Sequence, residues 1–320
     1  MISLKQHRIA SDVPGSFVWD SGTLWTRPTS RIRVRDETVD GFRQVTAGLT
    51  IDEKFLTEYS DGDLSIPGLR RLAREIRQEL QDGSGVVWLQ DCPGTEFTVP
   101  QLKFFYLAIG TAMGQTMGNY GRLYDVRDSG GSYRTERIPV SQTRAATGFH
   151  TDSSARHTMP DIVALLCLQP AESGGESLVV SSATIHEELR RTNKPLLNCL
   201  YREFIRDIVT PGTRKTRDAL LANRFPVFSQ GLYSPKLSFR YMRYWIERGH
   251  QEAKMDLTQT DRDALDVLDD LLASPEFAVR FKLKAGDHLW VNNHIVAHNR
   301  TEYEEAPEQP RHFVRMWIST

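Results

Sequence analysis

Apolar side chains recur at Leu69, Leu72, Ala73, Ile76 and Leu80 in SIPGLRRLAREIRQELQ, three and four residues apart, which is the spacing of one face of an α-helix. TQTDRDALDVLDDLLA repeats the pattern with Leu265, Leu268 and Leu272. A different pattern fills the space between and after these helices. GVVWLQ, DIVALLCLQ, SLVVSS, RFKL, DHLWVNN and RHFVRMWIS are short apolar or alternating runs bounded by Pro, Gly, Asp or Ser, and each predicts a strand. The strands do not alternate one-for-one with helices, which disfavours a doubly wound parallel sheet. The pattern predicts a mainly β fold with flanking helices, built on a jelly-roll (double-stranded β-helix) core. The aromatic-rich LKFFYLAIG and LSFRYMRYWI read as core. No repeat, low-complexity tract or linker divides the chain, so residues 1–320 read as one domain, with N-terminal helical and extended elements packed on the core.

Charge narrows the partners. With 40 basic and 41 acidic side chains the formal net charge is -1, so no bulk attraction draws the chain to nucleic acid or an anionic membrane. MISLKQHRIASD lacks the apolar centre of a signal peptide, and no run approaches the roughly 20 apolar residues that span a bilayer. A cytoplasmic protein is the expectation. Cys92, Cys167 and Cys199 are scattered, with no C-x-x-C pair, which predicts reduced thiols, Cys167 a buried one.

The chemistry begins at GFHTDSSARH. On an extended segment residues i and i+2 share a face, so His150 and Asp152 present an imidazole and a carboxylate side by side. Alone, the pair reads more readily as a turn-capping aspartate beside a hydrogen-bonded core histidine. AGDHLWVNNHIVAHNR offers a third ligand, His294 or His298, but not both, because four strand residues separate them by about 13 Å. A helical HIVAH would resemble the H-E-x-x-H of zinc proteases, yet Ile295 stands where the general-base Glu would be. His-x-Asp with one distant His is the 2-His-1-carboxylate face that holds non-haem Fe(II) with positions left open. In RHFVRMWIS, Arg311, Phe313, Arg315 and Trp317 alternate with His312, Val314, Met316 and Ile318. One face therefore carries two guanidinium groups among aromatics, either solvated on an edge strand or aimed inward at an anion such as a dicarboxylate.

Taken in order, GFHTDS, CLQPAESGGESLVVSS, GDHLWVNNHIVAHNR and RHFVRMW resemble the taurine dioxygenase and clavaminate synthase-like superfamily of Fe(II)/2-oxoglutarate dioxygenases, over the second half of the chain. The resemblance implies His150, Asp152 and His298 as metal ligands, with His294 outside the set. It puts Arg311 on the far carboxylate of 2-oxoglutarate and Ser177 where the family has a co-substrate-binding Thr. Arg315 matches a second arginine that in some members reaches substrate or co-substrate. His157, His186, His288 and His312 match no ligand position, and Asp161 and Asp287 read as loop residues.

The activity so implied is oxidation, most often hydroxylation, of an unactivated C–H bond of a small molecule, with 2-oxoglutarate and O2 consumed and succinate and CO2 released. Because Asp152 is present, and halogenating relatives lose this carboxylate to admit chloride, halogenation is disfavoured. Arg315, with Arg144 and Arg156 near the metal strand, points to an anionic or amino-acid-like substrate, such as a natural-product intermediate. Two other readings use the same residues. A zinc hydrolase would activate water on the same histidines without O2, and a non-catalytic jelly-roll binding module would need no intact triad.

Overall fold

The computed structural model describes residue 10 and residues 13–92, 96–118, 121–131, 140–209, 214–230 and 236–320. Most of the N-terminal stretch read for a signal sequence lies outside the described residues.

Two sheets enclose the interior. The larger one runs in the order Arg31–Arg33, Val86–Gln90, His288–Asn292, Ile162–Gln169, His312–Ser319 and Gln115–Thr116, with Tyr124–Val126 also on the His312–Ser319 strand. Every pairing in it is antiparallel except that of Arg31–Arg33 with Val86–Gln90. A second sheet consists of Val279–Phe281, Ser177–Ser181 and Val296–Arg300, antiparallel throughout. All six runs read as strands from the sequence are strands here.

The period-two pattern of the large sheet explains its two environments. Val87, Leu89, Ile162, Ala164, Leu166, Val314, Met316 and Ile318 pack on one side against Leu69–Asp82 and Val99–Met113. Val163, Cys167, Phe313 and Trp317 point the other way, into the space shared with Val179, Val279, Phe281, Val296 and Ala297 of the smaller sheet. The inward face of the last strand is thus the one that carries Arg311 and Arg315. Leu69–Asp82 and Gln259–Ala273 are the two helices read from the sequence. The three cysteines are buried and unpaired. No described helix is long and apolar enough to cross a membrane.

Candidate active site

An antiparallel bridge joins His150 to His298, with each backbone N–H donating to the other residue's carbonyl at 3.0 and 2.9 Å. Side chains of paired residues stand on one face, and the two imidazole centroids lie 4.4 Å apart. Asp152, two residues on, completes a group whose ligand atoms all lie within 4.8 Å of one another. Its Oδ1 is 3.5 Å from Nε2 of His150 and 3.6 Å from Nε2 of His298.

The surroundings select the metal-ready form of each group. Nδ1 of His150 donates to the carbonyl of Gly148 at 2.9 Å, which leaves Nε2 as the free lone pair. Gly148 adopts a φ of 68°, a left-handed turn that brings its carbonyl back to the ring and suits glycine. Burial, and then the neighbouring His150, lower the pKa of His298 and hold its imidazole neutral. Burial alone would raise the Asp152 carboxyl, but the Arg315 guanidinium and the two histidines beside it outweigh it and hold the group well below the usual carboxylate range. Two imidazoles and one carboxylate are a fitting donor set for Fe(II).

The other oxygen of Asp152 is occupied. Oδ2 accepts from the indole N–H of Trp317 at 2.6 Å and pairs with Nη1 of Arg315 at 3.3 Å. Asn293 fixes the backbone: its Oδ1 accepts from the Asp152 N–H at 2.8 Å, while its Nδ2 donates to the carbonyls of Asp152 and Pro160.

Arg311 supplies a second feature. Its side chain is only 3% exposed, yet Nε and Nη1 have no hydrogen-bond partner among the described residues. The guanidinium lies over the rings of Phe313 and Tyr303, at 3.9 and 5.0 Å from their centroids. Burial pulls its pKa down, outweighing the nearby Tyr303 and Glu305. Gly175, two residues before Ser177, would place a Cβ 3.6 Å from Arg311 Nε, so the Gly-Gly-Glu-Ser segment lies beside this cation. Ser177 is buried and pairs with Arg300 across the smaller sheet. An inward cation with open donors is a receptor for a carboxylate.

The family model for the Taurine catabolism dioxygenase TauD, TfdA family matches residues 49–317. The chain belongs to this family. FR-33289 synthase of Streptomyces rubellomurinus is 28% identical over 284 residues, 84% of this chain and 79% of that one. A uridine-5'-phosphate dioxygenase of a Streptomyces species is 29% identical over 180 residues, 55% of this chain and 63% of its own length. Among solved structures, asparagine oxygenase in complex with Fe(II), 2S,3S-3-hydroxyasparagine and succinate superposes with a TM-score of 0.68 at 15% identity, covering 90% of this chain and 93% of that one. The non-heme iron oxygenase OrfP, solved with Fe and α-ketoglutaric acid, gives 0.58 at 14% identity, with 90% and 94% covered. These likenesses establish the TauD-like jelly-roll fold, and the family match reaches well upstream of the motifs that carried the resemblance.

The histidines set aside from the ligand set lie apart from this TauD-like site. His294 sits in the turn between two strands rather than on the His298 face, and Nε2 pairs with Asp161 at 2.8 Å. His186 bonds the Tyr201 hydroxyl, His312 pairs with Asp125, His157 meets the Phe225 ring and His288 lies in the outer layer. Arg144, read as a surplus cation, is satisfied by Asp128 and Glu305 at 2.6 and 3.2 Å. Arg315, in contrast, lies against the triad, with Nη1 3.3 Å from Asp152 Oδ2. Sequence reasoning missed Asn293 and the roles of Trp317 and Arg300. Nη2 of Arg300 donates to the Thr143 carbonyl at 2.9 Å and to that of Ala145, fastening the segment that leads into His150. Burial, with Arg311 close by, lowers its pKa to about 10.

Proposed function

We propose that this chain, acting as a single domain, is an Fe(II)- and 2-oxoglutarate-dependent oxygenase whose metal ligands are His150, Asp152 and His298. The observation that carries the reading is the pairing of a two-imidazole, one-carboxylate donor group with a buried arginine that has open donors. Fe(II) bound there supplies the one chemistry the side chains lack, activation of O2 coupled to oxidative decarboxylation of 2-oxoglutarate to succinate and CO2. Everything else is the work of the chain. His150, Asp152 and His298 would hold the metal and leave its remaining positions to the co-substrates. Arg311 forms a forked, charge-assisted pair with the distal carboxylate of 2-oxoglutarate, and the Ser177 hydroxyl adds a hydrogen bond. The flanking Phe313 and Tyr303 rings exclude water from that pair and so strengthen it.

The substrate we infer is a small molecule with an amino-acid-like or anionic group. Two relationships support this: solved neighbours hold 3-hydroxyasparagine and hydroxy-L-Arg, and one relative is named for uridine-5'-phosphate. Arg315, which lies between Asp152 and the Tyr124 ring, supports this reading as a cation that such a group would meet. The test is an anaerobic titration of the apoprotein with Fe(II) and 2-oxoglutarate, read by the visible charge-transfer absorption of the chelate. A screen of amino acids and anionic metabolites for O2-dependent succinate release follows. Absence of the band, or turnover that needs no O2, would remove the oxygenase reading.

A further inference from the structure

Both histidine Nε2 atoms approach the same oxygen of Asp152, and both outside donors approach the other. Oδ1 lies 3.5 and 3.6 Å from His150 and His298, whereas Oδ2 takes the Trp317 N–H at 2.6 Å and Arg315 Nη1 at 3.3 Å. The two halves of the carboxylate have been assigned different partners.

We propose that Trp317 is a positioning residue for the metal-binding carboxylate: its indole N–H, assisted by Arg315, holds Oδ2 so that Asp152 engages the metal through Oδ1 alone. This inference rests on the metal site proposed above. Its physical basis is the coordination arithmetic of a facial triad. A carboxylate free to turn binds a divalent cation through one oxygen or two, and the second oxygen would take a position that the co-substrates need. A short N–H donation inside a water-poor interior resists that rotation. The final strand is built for the task. Its pairing with Ile162–Gln169 shifts register between His312 and Phe313, and from there Phe313, Arg315 and Trp317 alternate on the inward side. Arg315 is stacked between the Tyr124 and Trp317 rings, at 5.0 and 4.8 Å from their centroids, so the indole orders the guanidinium as well as the carboxylate. Trp317 packs against the enclosed core, and its N–H is aimed at the ligand across 165 residues of sequence. A tryptophan kept only for bulk would not need that direction.

The experiment removes the N–H and keeps the ring. Apoprotein carrying Trp317→Phe, or β-(3-benzothienyl)alanine at position 317, in which sulfur replaces the N–H in a side chain of the same shape, is titrated anaerobically with Fe(II) beside wild type and Asp152→Ala. Melting temperatures of the metal-free proteins are recorded in parallel. Both substitutions should weaken Fe(II) binding by roughly 10- to 100-fold, the usual range for losing a partner of a metal ligand. The benzothienyl protein should stay folded, its melting temperature lowered by no more than the loss of one hydrogen bond to a carboxylate, and a structural role alone would leave its metal affinity unchanged. If the Phe variant does not fold, the shape-conserving analogue decides. Wild-type affinity in the analogue, with binding lost in Asp152→Ala, overturns the positioning role and leaves the metal site standing. Wild-type affinity in Asp152→Ala overturns the metal site and this inference together.

Discussion

A guanidinium buried with Nε and Nη1 unsatisfied is a cost that the fold bears only if something offsets it. At Arg311 the offset is an anion, and the fork is what Lys cannot reproduce. Arg311→Lys should retain Fe(II) binding, since the metal ligands lie on other segments, but weaken apparent 2-oxoglutarate affinity by roughly 10-fold or more, for the 1.5 to 3 kcal/mol that hydrogen bonds to charged groups contribute. A keto acid without the distal carboxylate should lose its disadvantage in the variant. The concentration dependence of succinate formation checks this, and superimposable curves would move the co-substrate away from Arg311. At this scale the sequence was legible wherever chemistry repeats at short spacing: His150 and Asp152 are two residues apart, and Arg311 and Arg315 share a strand face. It was illegible where the partner is remote. Asn293 reaches Asp152 across 141 residues, and neither the Trp317 contact nor the Arg300 clasp on Thr143 leaves a local pattern.

Elements were readable in proportion to the contrast between their faces. Leu69–Asp82 buries Leu69, Leu72, Ala73, Ile76 and Leu80 and keeps its charges, Glu79 excepted, off the buried face, so its period stands out. Val99–Met113 is buried on nearly every side, with Phe104, Phe105, Tyr106, Leu107, Ala108 and Ile109 in unbroken succession, so it carries no such contrast and read only as core. Its start is nonetheless written in the chain, as Thr98 and Gln101 form a reciprocal capping box. The position of Leu69–Asp82 allows stability to be separated from chemistry. It packs on the face of the large sheet opposite the metal group, so Ile76→Ala, at a fully buried site, should cost about 2–5 kcal/mol of unfolding free energy. Fe(II) affinity of the folded variant should stay at the wild-type level. Urea titration and anaerobic metal binding measure the two quantities, and a joint loss would show that the outer layer and the site are coupled.

For the molecule as a whole, the outer layer also sets its response to acid. His288 lies fully buried among Phe105, Tyr106 and Trp290, and neither ring nitrogen has a partner among the described residues. Burial lowers its pKa to about 3. The unfolded chain takes up a proton at this histidine near pH 6.5, whereas the folded chain stays neutral until about pH 3. Between those limits the unfolded state binds more protons, so stability falls as pH drops, by roughly 1.4 kcal/mol per pH unit from this one group. Above pH 6.5 both states are neutral and the group contributes nothing to the slope. His288→Leu removes the titration and the two unsatisfied nitrogens while filling similar space, a replacement that is nearly neutral or stabilising when no hydrogen bond is lost. The variant should therefore match or slightly exceed wild type in urea unfolding at pH 7.5, and at pH 4.5 it should be the more stable by a further 2 to 3 kcal/mol or so, two pH units at that slope. Comparing metal-free proteins cancels the other titrating groups. Parallel losses of stability in the two proteins on acidification would mean that the folded state protonates His288 as readily as the unfolded chain does.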